Sequence, residues 1–304
     1  MKSIETGTYR LAFWNRMKGD LPENYEPDVY DQTSDGGYVL PTSTEARFEK
    51  EQGRNNIFRT LATVLYTDTT NKVKVLIPAG DAAFVEESGI IPEATANLRE
   101  WTVSPHKVAK MTKVSNEMRR DAGFDLEAAL AADFGRAFSS VEEKGIITGS
   151  GRGEPFGLLH PTAGAETGAT SAAAIITTDD IRKLYFSLDR KYRREAVWVM
   201  SDETALLLRT LKDNAGNYLW HESTQTLLGK PVYTSPYMPD VAGGEKPVLF
   251  GDFSYYWLVQ RGAVTLSPLH ELFAENGITA YIGMEFIDGK LIWRNAVKAL
   301  VVKE

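Results

Sequence analysis

FDLEAALAADFGRAFSSVEEKGIITGSGRGEPFGLL, residues 124–159, decides how the rest of this chain is read. Leu126, Leu130, Phe134, Phe138 and Val141 recur every three to four residues and predict an apolar stripe along one helix. Asp125 is placed to cap its N-terminus, and Glu127 suits the positive end of the helix dipole. Running to about Thr148, such a helix is roughly 35 Å long. The glycines that follow, Gly149, Gly151 and Gly153, look at first like a phosphate loop. A dinucleotide fingerprint, however, needs a strand before its glycines and a helix after them. Here the helix comes first and Pro155 follows, Glu154 adds negative charge, and no Lys-Ser or Lys-Thr completes a P-loop. The stretch therefore reads as a helix stop and a turn between domains, with Gly149 or Gly151 releasing the helix and Pro155 fixing the exit.

Upstream, NKVKVLI (71–77) and HKVAKMTKVS (106–115) alternate as strands of period two. About thirty residues between them carry too few apolar positions for a core, and a long two-stranded loop is unstable alone in water. It is expected to lie against another surface. Residues 1–45 hold one short helical pattern, Tyr9 to Met17, and then an acidic, proline-marked segment. One or two amphipathic turns cannot bury Tyr9, Phe13 and Trp14 alone, so these aromatics are expected to meet a partner surface. Thr44 or Ser43 is the expected cap of a helix through 46–51.

Downstream the pattern is α/β. Thr178 is the expected cap of DDIRKLYFSL, AVWVM (196–200) reads as a buried strand, and Ser201 caps a helix that Asp213 to Gly216 ends. KPVYTS, KPVLFGDF and YYWLVQ read as strands. ITAYIGMEF, a turn at Asp288-Gly289 and KLIWRNAVKALVVK read as a final strand pair.

Composition narrows the function. The chain has 304 residues, 43% apolar and 25% charged, a net charge of −7 and no cysteine. Disulfides and thiolate metal sites are ruled out, and the acidic balance argues against a protein whose main task is to coat nucleic acid. No apolar run is long enough to span a membrane, and the N-terminus lacks a signal-peptide pattern. His106, His160, His221 and His270 are spread along the chain without ligand spacing, and no G-x-S-x-G elbow is present. Glu86-Glu87, Glu142-Glu143 and Asp179-Asp180 are adjacent pairs whose side chains point apart, and solvated charge is their default reading. DRKYRRE (189–195) reads as a solvated, dipole-favoured face at a helix end. No cofactor, metal or catalytic residue is indicated.

The order of features resembles the major capsid proteins of tailed bacteriophages, the Hong Kong 97 fold. The likeness is carried by GGYVLP (36–41), RTLATVLYTDTTNKVKVLIPAG (59–80), ESGIIPEATANLREWTVSPHKVAKMTKVSNEM (87–118) and the long helix with its glycine turn. KDNAGNYLW (212–220), LLGKPVYTSPYMPD (227–240), PVLFGDFSYYWLV (247–259) and IDGKLIWRNAVKALVV (287–302) continue it. The resemblance implies an α+β subunit: an N-terminal arm (1–45), an extended β-hairpin loop (67–113), a peripheral domain (46–66, 114–170 and 273–304) with a long spine helix, and an axial α/β domain (171–272). It implies a structural protein, not an enzyme, that self-assembles into hexamers and pentamers of an icosahedral shell. That shell packages double-stranded DNA by non-specific contact, in a virion built in the host cytoplasm, with possible separate scaffold, portal and decoration proteins. Many relatives begin with a scaffolding segment that a protease removes; here such a segment is expected to be a separate protein or to lie outside this sequence. Some relatives join subunits covalently from a loop lysine, but Gly80 to Pro105 holds none, so no crosslink is expected from the loop tip.

The loop carries Asp81, Glu86, Glu87, Glu93 and Glu100 against Arg99. An acidic tip is expected to dock on a basic neighbour, with Arg119 and Arg120 as the candidate surface. The runner-up is an encapsulin-like nanocompartment shell around cargo enzymes. An enzyme with an unrecognised site in the axial region stands behind both.

Overall fold

Strands far apart in sequence assemble into two main sheets in the computed structural model, which describes residues 7–19, 37–67, 72–77, 85, 97–121, 123–173, 175–212, 216–221 and 223–304. The first sheet joins β1 (Tyr38–Val39), β2 (Thr63–Thr67), β5 (His106–Ser115), β12 (Tyr256–Arg261), β13 (Thr265–Leu269) and β14 (Ile278–Leu291). Its axis is β14, which pairs antiparallel with β5, β12 and β13. The second sheet runs in the order β6 (Glu166–Thr170), β15 (Val297–Val301), β11 (Val248–Gly251), β7 (Val197–Met200), β10 (Lys230–Thr234), β9 (Thr226–Leu227) and β8 (Trp220–His221). A separate pair, β3 (Lys72–Ile77) and β4 (Asn97–Thr102), is antiparallel with Lys72 opposite Thr102.

The second sheet is covered on both faces, which explains its unbroken apolar runs. Val199, Leu249, Val297 and Ala299 face a core shared with the first sheet. Trp198, Met200, Phe250 and Leu300 face α6 (Thr178–Ser187) and α8 (Asp202–Thr210) in a second core. There Trp198 stacks on Phe250 with ring centroids 4.1 Å apart.

Helix α5 (Leu126–Thr148) joins the two halves. Asp125 caps it by accepting from the Ala128 amide. It packs on α2 (Thr42–Asn55) and across the first sheet, and two glycines permit the approach. A Cβ at Gly135 would lie 2.8 Å from the Glu51 Cβ, and one at Gly283 2.8 Å from the Phe134 ring. Short helices α1 (Gly7–Lys18), α3 (Phe58–Leu61), α4 (Asn116–Arg120) and α7 (Arg190–Arg193) complete the chain.

Several expectations are corrected. The partner of β3 is β4, not the 106–115 strand, which instead pairs along ten residues of β14; the expected 67–113 loop therefore ends before His106. Asp288-Gly289 does not turn. Asp288 is buried, accepts from the Ser104 and Gly289 amides at 2.8 Å, and stays in the strand, while glycine at 289 makes room for the Tyr256 ring. The last two strands consequently lie in different sheets. β15 offers apolar residues on both faces and belongs in the doubly covered sheet, whereas β12 and β13 join β14. The second sheet draws its strands from 166–251 and 297–301.

Caps shift as well. Helix α2 starts at Thr42 without a side-chain cap, because Thr44 is buried and its hydroxyl bonds Glu127. Thr177, not Thr178, caps α6 in a reciprocal box with Asp180. Ser201 caps α8 as expected, but the helix stops at Thr210.

Two glycines of one helix layer should respond oppositely. Gly135→Val is expected to lower the urea midpoint of the unassembled subunit by the equivalent of about 1–3 kcal/mol through overpacking. Gly53→Ala, on the open side of α2 with nothing within 4 Å of the added carbon, is expected to raise it by up to about 1 kcal/mol.

Candidate functional site

Along α5 the apolar stripe does not continue to Val141, which is 53% exposed, but gives way to Glu142 and Glu143, both buried. The pair read as solvated charge is the polar centre of the subunit. Glu142 meets the Arg59 guanidinium through both oxygens: Nε donates to Oε2 at 2.8 Å and Nη2 to Oε1. Asn56 Nδ2 also donates to Oε2, at 3.1 Å. Glu285 of β14 lies on the far side, taking Gln52 Nε2 at 3.1 Å with Arg59 Nη2 at 4.0 Å, and Arg59 Nη1 reaches Gln260 of β12. One cation is thus shared by two carboxyl groups out of contact with water. Burial, and then the neighbouring Glu142 charge, push the Glu285 carboxyl well above its ordinary range, while Glu142 lies directly against Arg59.

Glu143 points the other way and accepts from Ser235 Oγ at 2.5 Å, beside the end of β10. Burial raises its pKa too. Adjacent helix positions point apart, as expected. What the sequence reading missed is that α5 is covered on both sides at this point, so both directions lead inward. Asp180 of the pair Asp179-Asp180 is likewise buried, as the partner of the Thr177 cap.

The N-terminal helix corrects another expectation. Tyr9, Phe13 and Trp14 are not a surface waiting for a neighbour; they and Met17 are buried in the chain's own first core. Polar contacts hold the helix there. Arg10 donates to Glu127 at 2.7 Å, Tyr9 to the Val39 carbonyl at 2.6 Å, and Trp14 Nε1 to Thr44. At its C-terminal end the carbonyls of Arg16, Met17 and Lys18 meet His270, Tyr281 and Arg119 respectively. These partners come from five other elements and from the segment after β13, which is why a short pattern could not reveal them.

Arg119 is therefore engaged within its own chain, and of the expected basic pair Arg120 remains exposed. Asp81, Glu86, Glu87 and Glu93 lie outside the described residues. Arg99 stands opposite Val75 in β4, and Glu100 is exposed beside it.

The glycine turn bonds largely to itself: the Gly149 amide donates to Gly145, Gly151 to Pro155 and Gly157 to Gly149, while Glu154 accepts from the Ser150 amide and hydroxyl. Gly151 and Gly153 adopt φ of +76° and +74°, which glycine tolerates. Gly149 stops the helix in an extended conformation instead. Pro155 follows as the acceptor that closes the turn, and Phe156 ties it to Gly289. His160 accepts from the Ala163 amide, and His106 lies 3.9 Å from Asp288. Among the described residues no group of three or more His, Asp or Glu side chains could hold a metal, and no helix is long and apolar enough to cross a membrane.

The network carries a testable sign. Because the folded pKa of Glu285 lies above its ordinary 4.5, its contribution is complete below that value and is lost as pH rises towards the folded pKa. Glu285→Gln, a neutral copy of the protonated acid, should flatten the stability–pH slope above pH 4.5 and keep the fold at pH 7. Glu142→Gln strands the buried guanidinium and should cost about 3–5 kcal/mol. Urea melts of unassembled subunits across the pH range check both.

The chain as a whole is similar to known proteins. The phage capsid family model matches residues 36–302. A curated major capsid protein of Klebsiella oxytoca phage phiKO2 is 25% identical over 185 residues, 57% of this chain, and the match spans 43% of that relative's length. Among solved structures, the capsid of an empty GTA particle, computed with C5 symmetry, superposes with a TM-score of 0.64 at 25% identity, covering 81% of this chain and 90% of the other. The capsid of the native GTA particle gives 0.66 at 24% identity, covering 94% and 97%. Mycobacterium phage Bobi gives 0.56 at 18%, covering 93% and 96%. The mixed helix-and-sheet architecture is the Hong Kong 97 type, and with its two sheets, long central helix and hairpin spanned by one family model, this chain belongs to the phage capsid family.

Proposed function

We propose that the chain is the building block of an icosahedral shell, assembling into hexamers and pentamers that enclose double-stranded DNA. The observation that carries this reading is the match of nearly the whole chain to subunits whose solved structures are capsids. The similar structures named above are phage and GTA capsids, and this favours a virion over an enzyme container. In this reading the work is mechanical and no residue is catalytic. The first sheet with α2 and α5 is the peripheral body, the second sheet is the axial unit, and β3–β4 is the stem of the extended loop. Scaffold, portal and decoration proteins would be separate chains, and assembly would occur in the host cytoplasm. The exposed Arg120 is the remaining member of the expected basic docking pair for the acidic loop tip.

Electron microscopy of the overexpressed protein is expected to show closed shells or capsomers. Denaturing gels of purified particles should give one band near 33.8 kDa, because the stretch from Gly80 to Pro105 contains no lysine to crosslink. Absence of shells and capsomers under all assembly conditions would count against the function, and a ladder of covalent multimers against the uncrosslinked loop tip.

A further inference from the structure

Charge is segregated along this chain. Residues 20–36 carry six carboxylates and residues 78–96 carry four, with no lysine or arginine in either. Since the whole chain is −7, everything else carries a net charge of +3. On the helical layer, three cations of α2 line one groove.

A groove of about 230 Å³ lies between α2 and α5, edged by Arg47, Lys50, Glu51 and Arg54 and floored by Ala128, Ala131 and Ala132. Arg47 to Arg54 spans roughly 10 Å along α2, and Arg136 stands exposed one turn beyond Ala132. Acidic neighbours are few. Arg54 holds Glu51 at 2.7 Å, and Arg47 lies 3.8 Å from Asp125 and from Glu127, which Arg10 already occupies. Lys50 and Arg136 have no carboxylate within 4.0 Å among the described residues, and the Arg136 Nε bonds only the Ala132 carbonyl.

The other basic run differs. Around α7, Arg182, Lys183, Lys191 and Arg194 each lie within 4.0 Å of an aspartate or glutamate of their own segment. Arg193 is turned inward, donating to the Leu188 carbonyl at 2.6 Å. Its charge is largely answered locally.

We propose that the α2–α5 groove is a binding site for the phosphate backbone of nucleic acid, and that it marks the face of the subunit turned towards enclosed DNA. The setting rests on the shell reading above; the site rests on its own chemistry. Cations without local partners release counterions when they meet phosphate. A shallow alanine floor offers neither base-edge hydrogen bonds nor an aromatic ring to stack on, so the contact is with backbone and indifferent to sequence. It fits duplex DNA held loosely at many points, one groove per subunit.

The test compares full-length wild type with Lys50→Gln/Arg54→Gln/Arg136→Gln, and with Arg190→Gln/Lys191→Gln/Arg194→Gln as the control. Binding of a duplex of about 30 base pairs to unassembled protein is measured as a function of salt. Removing three contacts is expected to reduce the slope of log affinity against log salt by about 2.7. The control should keep the wild-type slope, and two duplexes of different sequence should bind alike. An unchanged slope in the groove variant overturns the proposal, as does a loss carried by the control instead. A groove variant that binds DNA normally but no longer assembles also overturns it, and identifies the groove as a protein contact. Shell formation is imaged in parallel: a wild type that forms no shells yet shows the slope difference supports the site and overturns the assembly reading.

Discussion

Arg59 between two buried glutamates is the interaction on which the rest of this subunit depends. It draws Asn56 beside α3 towards Glu142 of the long helix, Glu285 of the longest strand, and Gln260 of the strand alongside. A buried cation without its carboxylate is costly by several kcal/mol, so these elements cannot drift apart independently. One turn of helix therefore fixes the layer of α2 and α5 against the first sheet, and the next residue, Glu143, ties the same turn to the second sheet. Burial and the second carboxyl raise the pKa of Glu285 in this cluster, and this links the fold of the body to pH.

Much of the architecture was legible in the amino-acid pattern. The long helix, its Asp125 cap, the second-sheet strands β7, β10 and β11 and the Ser201 cap follow from periodicity and capping chemistry that act within a few residues. Apart from the one-residue shift of the α6 cap, the main errors share a cause: they depended on a partner distant in sequence. Glu142 and Glu143 look solvated until α3 and the end of β10 are seen on either side. Asp288-Gly289 looks like a turn until Ser104 and Tyr256 supply the contacts that keep it in a strand. The N-terminal aromatics needed a surface, as their sparse pattern demanded, but nothing local told own chain from neighbour.

The candidate site was less legible than the fold. In a shell subunit the functional surface is a distribution of shape and charge rather than a constellation of reactive groups. Local motifs such as the glycine turn mislead in that setting. That turn is knit by its own amides and fastened to β14 through Phe156, which makes it a firm joint between the long helix and the second sheet. Charge was the better signal. Two acidic segments set against a positive remainder are what the proposed contacts with copies of itself and with a polyanion would use, although the total charge is negative.

The most direct test of this account is a side-chain-resolution reconstruction of the assembled particle. The account predicts a closed icosahedral shell in which every subunit keeps Leu126–Thr148 as one helix, with Arg59 between Glu142 and Glu285 and the N-terminal helix seated on its own chain. A shell whose subunits break the helix at Glu142, or separate Arg59 from Glu142, would contradict it.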